Sequence, residues 1–448
     1  MRQKADSAEV LADKDIEEYK KSIQAQVSAY KMSNEWDKAG ELLKGLADKL
    51  QTLDAIWNYA FFSQKQNQFV AAEKYYKLYI NKLSSLSDTK SEENEQKLAN
   101  CYNNFAKLYR DTQRFTESEQ MFKSSLDIRK RLSASNPLVY EPDLAMICIN
   151  LANLYRATKR FIESEQMFKS VFEIYKRLFA SNPQVYEPDL ANCYNNLGLL
   201  YSDTQCFHES EQTFKSSLEI YKRLSVSNPQ VYEPDLAMIY NNLSNLYFKS
   251  QRFHESEQMY KLALEIRQRL SASNPQAYEP DLATSYNNLG LLYNRIQRFP
   301  ESEQMYKSAL EIYKRLSASN PQDYELDLAR SYICLGVLYS DVQCFLESEQ
   351  MYKSALEIYK RLIGEYPQFY GQQQAICLFW LAESQVKQEK YAEAISPLEK
   401  ALEFYKKEAE HGTSIDFYTT IMSCLQQLYE QEKKTLRHIN AISKIYPY

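Results

Sequence analysis

The sequence predicts an all-α solenoid built from tandem helix pairs. Three observations carry this: a 46-residue internal repeat, apolar positions at helical spacing inside each repeat, and 8 glycines against 37 tyrosines in 448 residues. Average usage would place about 30 glycines in such a chain, so a fold that needs many left-handed turns, β-bulges or phosphate-cradling loops is not expected. The glycines never fall in a G-x-G-x-x-G or G-x-x-x-x-G-K pattern, which removes the usual signatures of ATP and NAD binding.

The period is read first from proline. Pro137, Pro183, Pro229, Pro275, Pro321 and Pro367 stand 46 residues apart, and five of the six follow Asn. Aromatic residues extend the series to eight copies: Phe69, Phe115, Phe161, Phe207, Phe253, Phe299, Phe345 and Tyr391. A fixed period of this length marks a stacked array, in which each unit buries its apolar face only against its neighbours.

The elements follow in chain order. Residues 1–52 read as N-terminal capping helices with a divergent repeat: a helical stretch through Ile23, Val27 and Tyr30, then Trp36, Ala39 and Leu43 in the pattern of a second helix. Residues 53–412 hold the eight repeats, starting near 53, 99, 145, 191, 237, 283, 329 and 375. In the fourth, Leu190, Tyr194, Leu197, Gly198 and Tyr201 form the apolar stripe of a first helix, and Phe207, Ser210, Phe214, Leu218, Tyr221 and Leu224 that of a second. The polar stretch 203–206 breaks them apart. The second helix should stop near Asn228, because the residue before a proline is pushed out of the α region. Residues 228–234 then read as the inter-repeat loop, with Pro234 in the first turn of the next helix and Tyr140, Tyr186 and their counterparts marking the loop. Residues 413–448 read as a C-terminal capping helix pair through Ile421, Leu425, Leu428, Leu436, Ile439 and Ile442.

With Tyr194 counted as position 4, Leu197, Gly198, Tyr201, Ser210, Phe214 and Ser217 occupy the places that the tetratricopeptide repeat fills with Leu, Gly, Tyr, Ala, Phe and Ala. In later copies the last alanine itself appears, as Ala263, Ala309, Ala355 and Ala401. The chain thus resembles a tetratricopeptide repeat protein, with lengthened repeats of the kinesin-light-chain type. A standard repeat has about 34 residues; the remainder lies after that alanine. The resemblance implies a right-handed α-α superhelix that binds protein or peptide in a concave groove lined by the first helices, and no enzymatic activity.

Helical geometry places positions 4, 7, 8 and 11 of the first helix on the core side and positions 2, 6, 9 and 13 opposite. Position 6 is Asn58, Asn104, Asn150, Asn196, Asn242 and Asn288 before Cys334 and Trp380 interrupt the series. A carboxamide offers both donor and acceptor, so such a ladder can pair with a peptide backbone whatever its sequence. It resembles the ladders of O-GlcNAc transferase, importin and kinesin light chains, which grip an extended peptide. A solvated polar face is the alternative, since the outward ESEQ motif (209–212 in the fourth repeat) is equally invariant.

Around the ladder lie Asn103, Lys107, Arg110, Asn153, Arg156, Asn241, Asn245, Lys249 and Arg295, giving way to Ile333, Val337, Phe379 and Val386 in the last two repeats. The basic residues there (Lys65, Lys107, Arg110, Arg156, Lys249, Arg295, Arg330 and Lys387) exceed the acidic ones (Asp54, Asp111, Asp203, Asp341 and Glu383). The expected ligand is therefore a mildly acidic, partly hydrophobic peptide. A second reading is a regulatory or sensor module that binds a small anion where Arg156 approaches Arg110.

Other chemistry finds little support. Lys and Arg number 54 against 59 Asp and Glu, a net charge of −5, which is no footprint for nucleic acid. No apolar run reaches the ~20 residues of a membrane span, and the N-terminus shows no apolar segment of a secretory signal. The four histidines, with His208 and His254 on equivalent turns, gather no metal-ligand set, and the eight cysteines show no C-x-x-C. Cys101, Cys193 and Cys377 share one position at least two repeats apart, beyond disulfide reach. Neither cofactor nor metal is expected, and the cytoplasm is the expected compartment. The tyrosines read as structural, filling helix–helix space with the hydroxyl at a polar edge.

Overall fold

The computed structural model describes residues 2–33, 35–86, 88, 91–365, 367–410 and 415–445, and among these every regular element is an α-helix. Two compact units appear, Met1–Ser227 and Asn228–Tyr448. The first holds α1 (Arg2–Met32), α2 (Trp36–Leu50), α3 (Leu53–Lys65), α4 (Phe69–Ser84), α5 (Glu92–Asp111), α6 (Phe115–Ser135), α7 (Pro137–Ala157), α8 (Phe161–Ser181), α9 (Pro183–Asp203) and α10 (Phe207–Ser227). The second holds α11 (Pro229–Lys249), α12 (Phe253–Ser273), α13 (Pro275–Arg295), α14 (Phe299–Ser319), α15 (Pro321–Asp341), α16 (Phe345–Glu365), α17 (Pro367–Lys387), α18 (Tyr391–Glu410) and α19 (Ile415–Ile445). Each is a solenoid of paired helices, and the aromatic series Phe69 to Tyr391 opens every second helix of the eight repeats.

Why the pairs hold is visible at one recurring contact. Ser118 Oγ donates to the Ala106 carbonyl at 2.8 Å, Ser164 to Ala152 at 2.8 Å, Ser210 to Gly198 at 2.7 Å and Ser302 to Gly290 at 2.8 Å. These serines are buried, and a hydroxyl so enclosed needs the bond it makes. The residue at position 8 must be small, because the ring of the second helix lies on it: a Cβ on Gly198 would stand 2.7 Å from Phe214, and one on Gly336 2.6 Å from Tyr352. Phe122, Phe168, Phe214, Tyr260, Tyr306 and Tyr352 are that ring in successive repeats, each buried. The ESEQ motif is therefore not an outward one. Its serine makes the helix contact, and its second glutamate turns to the following repeat, where the Tyr155 hydroxyl donates to Glu119 at 3.1 Å.

Three further expectations change. The segment 228–234 and its counterparts are not loops: helices begin at Pro137, Pro183, Pro229, Pro275 and Pro321, each with proline in the first turn, and a single Asn separates the repeats. Pro142, Pro188, Pro234 and Pro280 lie inside these helices, along with Tyr140 and Tyr186. Proline at the first position forfeits nothing, because the first N–H groups have no intrahelical acceptor, and the second proline, at the sixth position, forfeits one backbone bond.

Left-handed turns are common despite the scarcity of glycine. Asn67, Gln113, Lys159, Gln205, Gln251, Gln297, Gln343 and Glu389 all have φ between 56° and 63°. Each follows a first helix and reverses the chain: Arg114 N–H reaches the Tyr109 carbonyl at 2.7 Å and Gln113 N–H that of Arg110 at 2.9 Å. This paired bonding satisfies the terminal carbonyls, which offsets the left-handed strain.

At the C-terminal end, residues 415–445 form one long helix rather than a pair. Ile421, Leu425 and Leu428 are buried as expected, whereas the side chains of Leu436, Ile439 and Ile442 lie outside the described residues. At the other end Ile23, Val27, Ala39 and Leu43 are buried together with residues of α3 and α4.

Candidate peptide-binding surface

First helices of adjacent repeats touch through side-chain amides. On α7, Asn150 Nδ2 donates to Asn103 Oδ1 on α5 at 2.8 Å, and Asn103 Nδ2 donates in turn to Asn104 Oδ1 at 3.3 Å. In the second unit Asn288 on α13 repeats the first contact with Asn241 on α11 at 2.9 Å. The ladder is thus supported from position 5 of the preceding repeat. Asn103 is buried, so its oxygen depends on that partner. Position 5 was expected to face the ligand; Asn103 and Asn195 are buried between helices instead. The doubled Asn-Asn of the repeat was the signal for this pairing.

The ladder residues Asn104, Asn150, Asn196, Asn242 and Asn288 are half-buried, and Asn58 is exposed. One bond fixes the rotamer of Asn150 while its oxygen and second N–H remain for another partner. Neighbouring helices are also tied by Gln64 Nε2 to the Asn104 carbonyl at 3.3 Å, by Asn287 to Ser331 at 3.1 Å and by Asn294 to Asp341 at 2.7 Å.

The flanking residues divide into two sets. Lys107 is half-buried, and burial, then Arg110 and Lys65, push its pKa below the ordinary lysine value, with Asp111 opposing them. These three cations therefore share one neighbourhood on α3 and α5. Asn153 is half-buried, while Lys249 and Arg295 are exposed. Asn245 is committed to its own repeat, where its oxygen accepts from the Tyr260 hydroxyl.

The arginines that a small-anion site would bring together pair elsewhere. Arg110 lies 2.9 Å from Asp111, and Arg156 lies 3.5 Å from Asp203 on α9. Burial lowers the Arg156 pKa and Asp203 opposes this.

The tetratricopeptide repeat family matches residues 143–223, 235–315 and 327–407, and a second tetratricopeptide repeat description matches 98–136. The chain belongs to the tetratricopeptide repeat family. Such repeats serve in general as protein-interaction scaffolds, and this tetratricopeptide repeat chain has that architecture. It is similar to the solved structure of BtubC (BKLC) from P. vanneervenii, at 24% identity over 56% of this chain and 92% of that one, with a TM-score of 0.46. It is also similar to a Rap protein complexed with competence and sporulation factor (13% identity, 92% of this chain and 99% of that one, TM-score 0.48). A third similar structure has nearly identical repeats from Podosopora anserina (14% identity, 49% of this chain and 97% of that one, TM-score 0.39). No curated protein matches the chain.

Among the described residues no group of His, Cys, Asp and Glu could hold a metal ion. No described helix is long and apolar enough to cross a membrane. The buried thiols of Cys101, Cys148, Cys193 and Cys377 are pushed up by burial, Cys148 to about 11 and Cys193 and Cys377 to about 12, which removes nucleophilic thiolate at neutral pH.

Proposed function

We propose that this tetratricopeptide repeat chain is a non-enzymatic scaffold that holds an extended segment of a partner protein along its first helices. Asn58, Asn104, Asn150, Asn196, Asn242 and Asn288 grip the partner's backbone. The observation that carries this reading is the Asn150–Asn103 amide contact, repeated as Asn288–Asn241. A carboxamide held in one rotamer loses less entropy when it takes a ligand, so the surface is organised before the partner arrives.

Lys65 and Lys107 favour carboxylates in the segment that meets the first two repeats, which makes the partner mildly acidic there. Apolar residues of the partner meet Ile333, Val337, Phe379 and Val386 of the last two repeats. The ion pairs of Arg110 and Arg156 weigh against the small-anion reading. A reducing compartment such as the cytoplasm suits eight free cysteines.

The test is a pull-down from the native source with the wild-type chain and with the triple variant Asn150→Ala, Asn196→Ala, Asn242→Ala, its fold checked by circular dichroism and melting. Loss of the partners is expected. Unchanged recovery by a folded variant would sink the ladder as the binding element.

A further inference from the structure

At the end of the second unit α17, α18 and α19 line a half-open cavity of about 380 Å³. Its floor is apolar and buried: Ala382, Leu398 and Leu428, with Phe379, Val386 and Tyr391 half-buried around it. Glu383, Gln427 and Gln431 stand exposed at the rim. A volume in the ~300–1,000 Å³ range, an apolar floor and a few polar groups at one edge are the attributes of a ligand pocket.

The residues that make it depart from the repeat. Phe379 and Val386 occupy positions 5 and 12, where the second repeat carries Asn103 and Arg110. On α19, Gln427 and Gln431 stand where the fourth repeat has Leu197 and Tyr201, so carboxamides replace the apolar bulk that fills this space elsewhere. Phe379 is braced from behind by Phe417, ring centroids 5.4 Å apart and nearly edge-on. In an array of near-identical copies, the lining here is made apolar while its rim keeps acceptors.

We infer that this cavity receives one aromatic side chain bearing an N–H or O–H donor, an indole or a phenol, from the bound partner. The ring replaces solvent against Phe379, Ala382, Val386 and Leu428, and the donor bonds the Glu383 carboxylate at the rim. An apolar ring gains dispersion contacts that water cannot supply on that floor, and the carboxylate distinguishes a donor-bearing ring from a plain one. The source of the side chain rests on the scaffold reading; the pocket itself does not.

The experiment titrates the full chain with 5-fluoroindole and with 5-fluoro-1-methylindole, which lacks the N–H, and follows both by ¹⁹F NMR. Saturable binding of 5-fluoroindole is expected with a Kd on the order of 1 mM, as a ligand of ten heavy atoms allows. The methylated probe should bind about tenfold more weakly in wild type and equally to 5-fluoroindole in Glu383→Ala. Val386→Phe, which fills the space from α17, and Cys424→Leu, which fills it from α19, should each abolish saturation while the melting temperature is held or raised. Non-saturable shifts, or binding undiminished in both filled variants, would overturn the pocket; equal binding of the two probes in wild type would overturn the donor-bearing ligand class. The triple asparagine variant should bind 5-fluoroindole normally, so failure of the ladder and failure of the pocket are read separately.

Discussion

Arg160, in the turn between α7 and α8, reaches back one repeat to Glu119 on α6, its Nη1 2.6 Å from Oε2. Its Nε holds Glu163 at 2.9 Å, and the guanidinium lies 4.3 Å over the Tyr155 ring. Glu73 with Arg114 and Glu257 with Arg298 repeat the contact at 2.7 and 2.9 Å. In two repeats the arginine is replaced by Cys206 or Cys344. There the corresponding carboxylates, Glu165 and Glu303, are 36% and 37% exposed, against 20% for Glu119 and 15% for Glu257. The guanidinium is what covers the carboxylate, and these junctions lack it.

Restoring that cover should stabilise the first unit. Cys206→Arg supplies an ion pair with Glu165 and a cation over Tyr201, each worth ~0.5–1 kcal/mol at a partly exposed site. A gain of about 1 kcal/mol in urea unfolding is expected, and about half of it should be lost when Glu165→Gln is added. A gain undiminished by Glu165→Gln would show that the carboxylate contributes nothing to it. Arg160→Ala should cost a similar amount.

The last such contact is rebuilt from other residues and predicts a pH response. Glu349 meets Lys353 at 2.7 Å, Lys390 at 2.8 Å and Gln388 at 3.0 Å. Burial works to raise its pKa, but these bonds, led by Lys353 and Lys390, outweigh it and hold the carboxyl at about 2, below the ordinary 4.5. A group depressed in the folded state stabilises fully above its unfolded pKa and loses that contribution as pH falls through the folded value. The stability from Glu349 therefore declines between about pH 4.5 and pH 2. Melting curves of Glu349→Gln should show a lower melting temperature near pH 7 and a shallower fall toward acid than wild type; parallel curves would refute the assignment.

The left-handed turns predict a stabilising substitution. Gln297 has φ of 61° and closes α13, with its N–H on the Asn294 carbonyl at 3.0 Å and the Arg298 N–H on that of Tyr293 at 2.8 Å. A side chain in this region costs ~1–2 kcal/mol, and glycine removes that cost while giving back part in chain entropy. Gln297→Gly should therefore raise stability by a few tenths to about 1 kcal/mol. The same change at Gln304, exposed and inside α14, should lower it by ~1 kcal/mol, and a destabilised Gln297→Gly would contradict the strain argument.

Periodicity made the helix pairs legible because one apolar spacing, copied eight times, leaves little freedom in pairing. Capping was harder to read. Asn-Pro followed by Tyr-Glu-Pro has loop composition, yet proline within the first two turns removes little that a helix uses, so Pro137 and Pro142 both sit in α7. Scarce glycine misled for a related reason, since Gln113 and its counterparts are held left-handed by paired carbonyl bonds that no composition displays. At the surface, position 6 was legible as a ladder, but its support at position 5 was not. Whether an amide faces out or braces a neighbour depends on helix rotation by a few tens of degrees, and Asn103 lies on the inner side of that line.

The two roles of the ladder can be separated at Asn150 and Asn196. Asn150 bonds Asn103, whereas the residue at position 5 before Asn196 is Ile149, which offers no side-chain acceptor. Asn150→Ala leaves the buried Asn103 oxygen without that donor and should cost ~1–2 kcal/mol of stability. Asn196→Ala, on a half-buried surface position, should stay within ~0.5 kcal/mol. A backbone-gripping role predicts that both variants weaken partner binding comparably, because each removes one carboxamide from the same register. Urea unfolding and a binding isotherm with a captured partner measure the two quantities independently. If binding falls only where stability falls, the ladder is an internal brace and the partner is held by other residues.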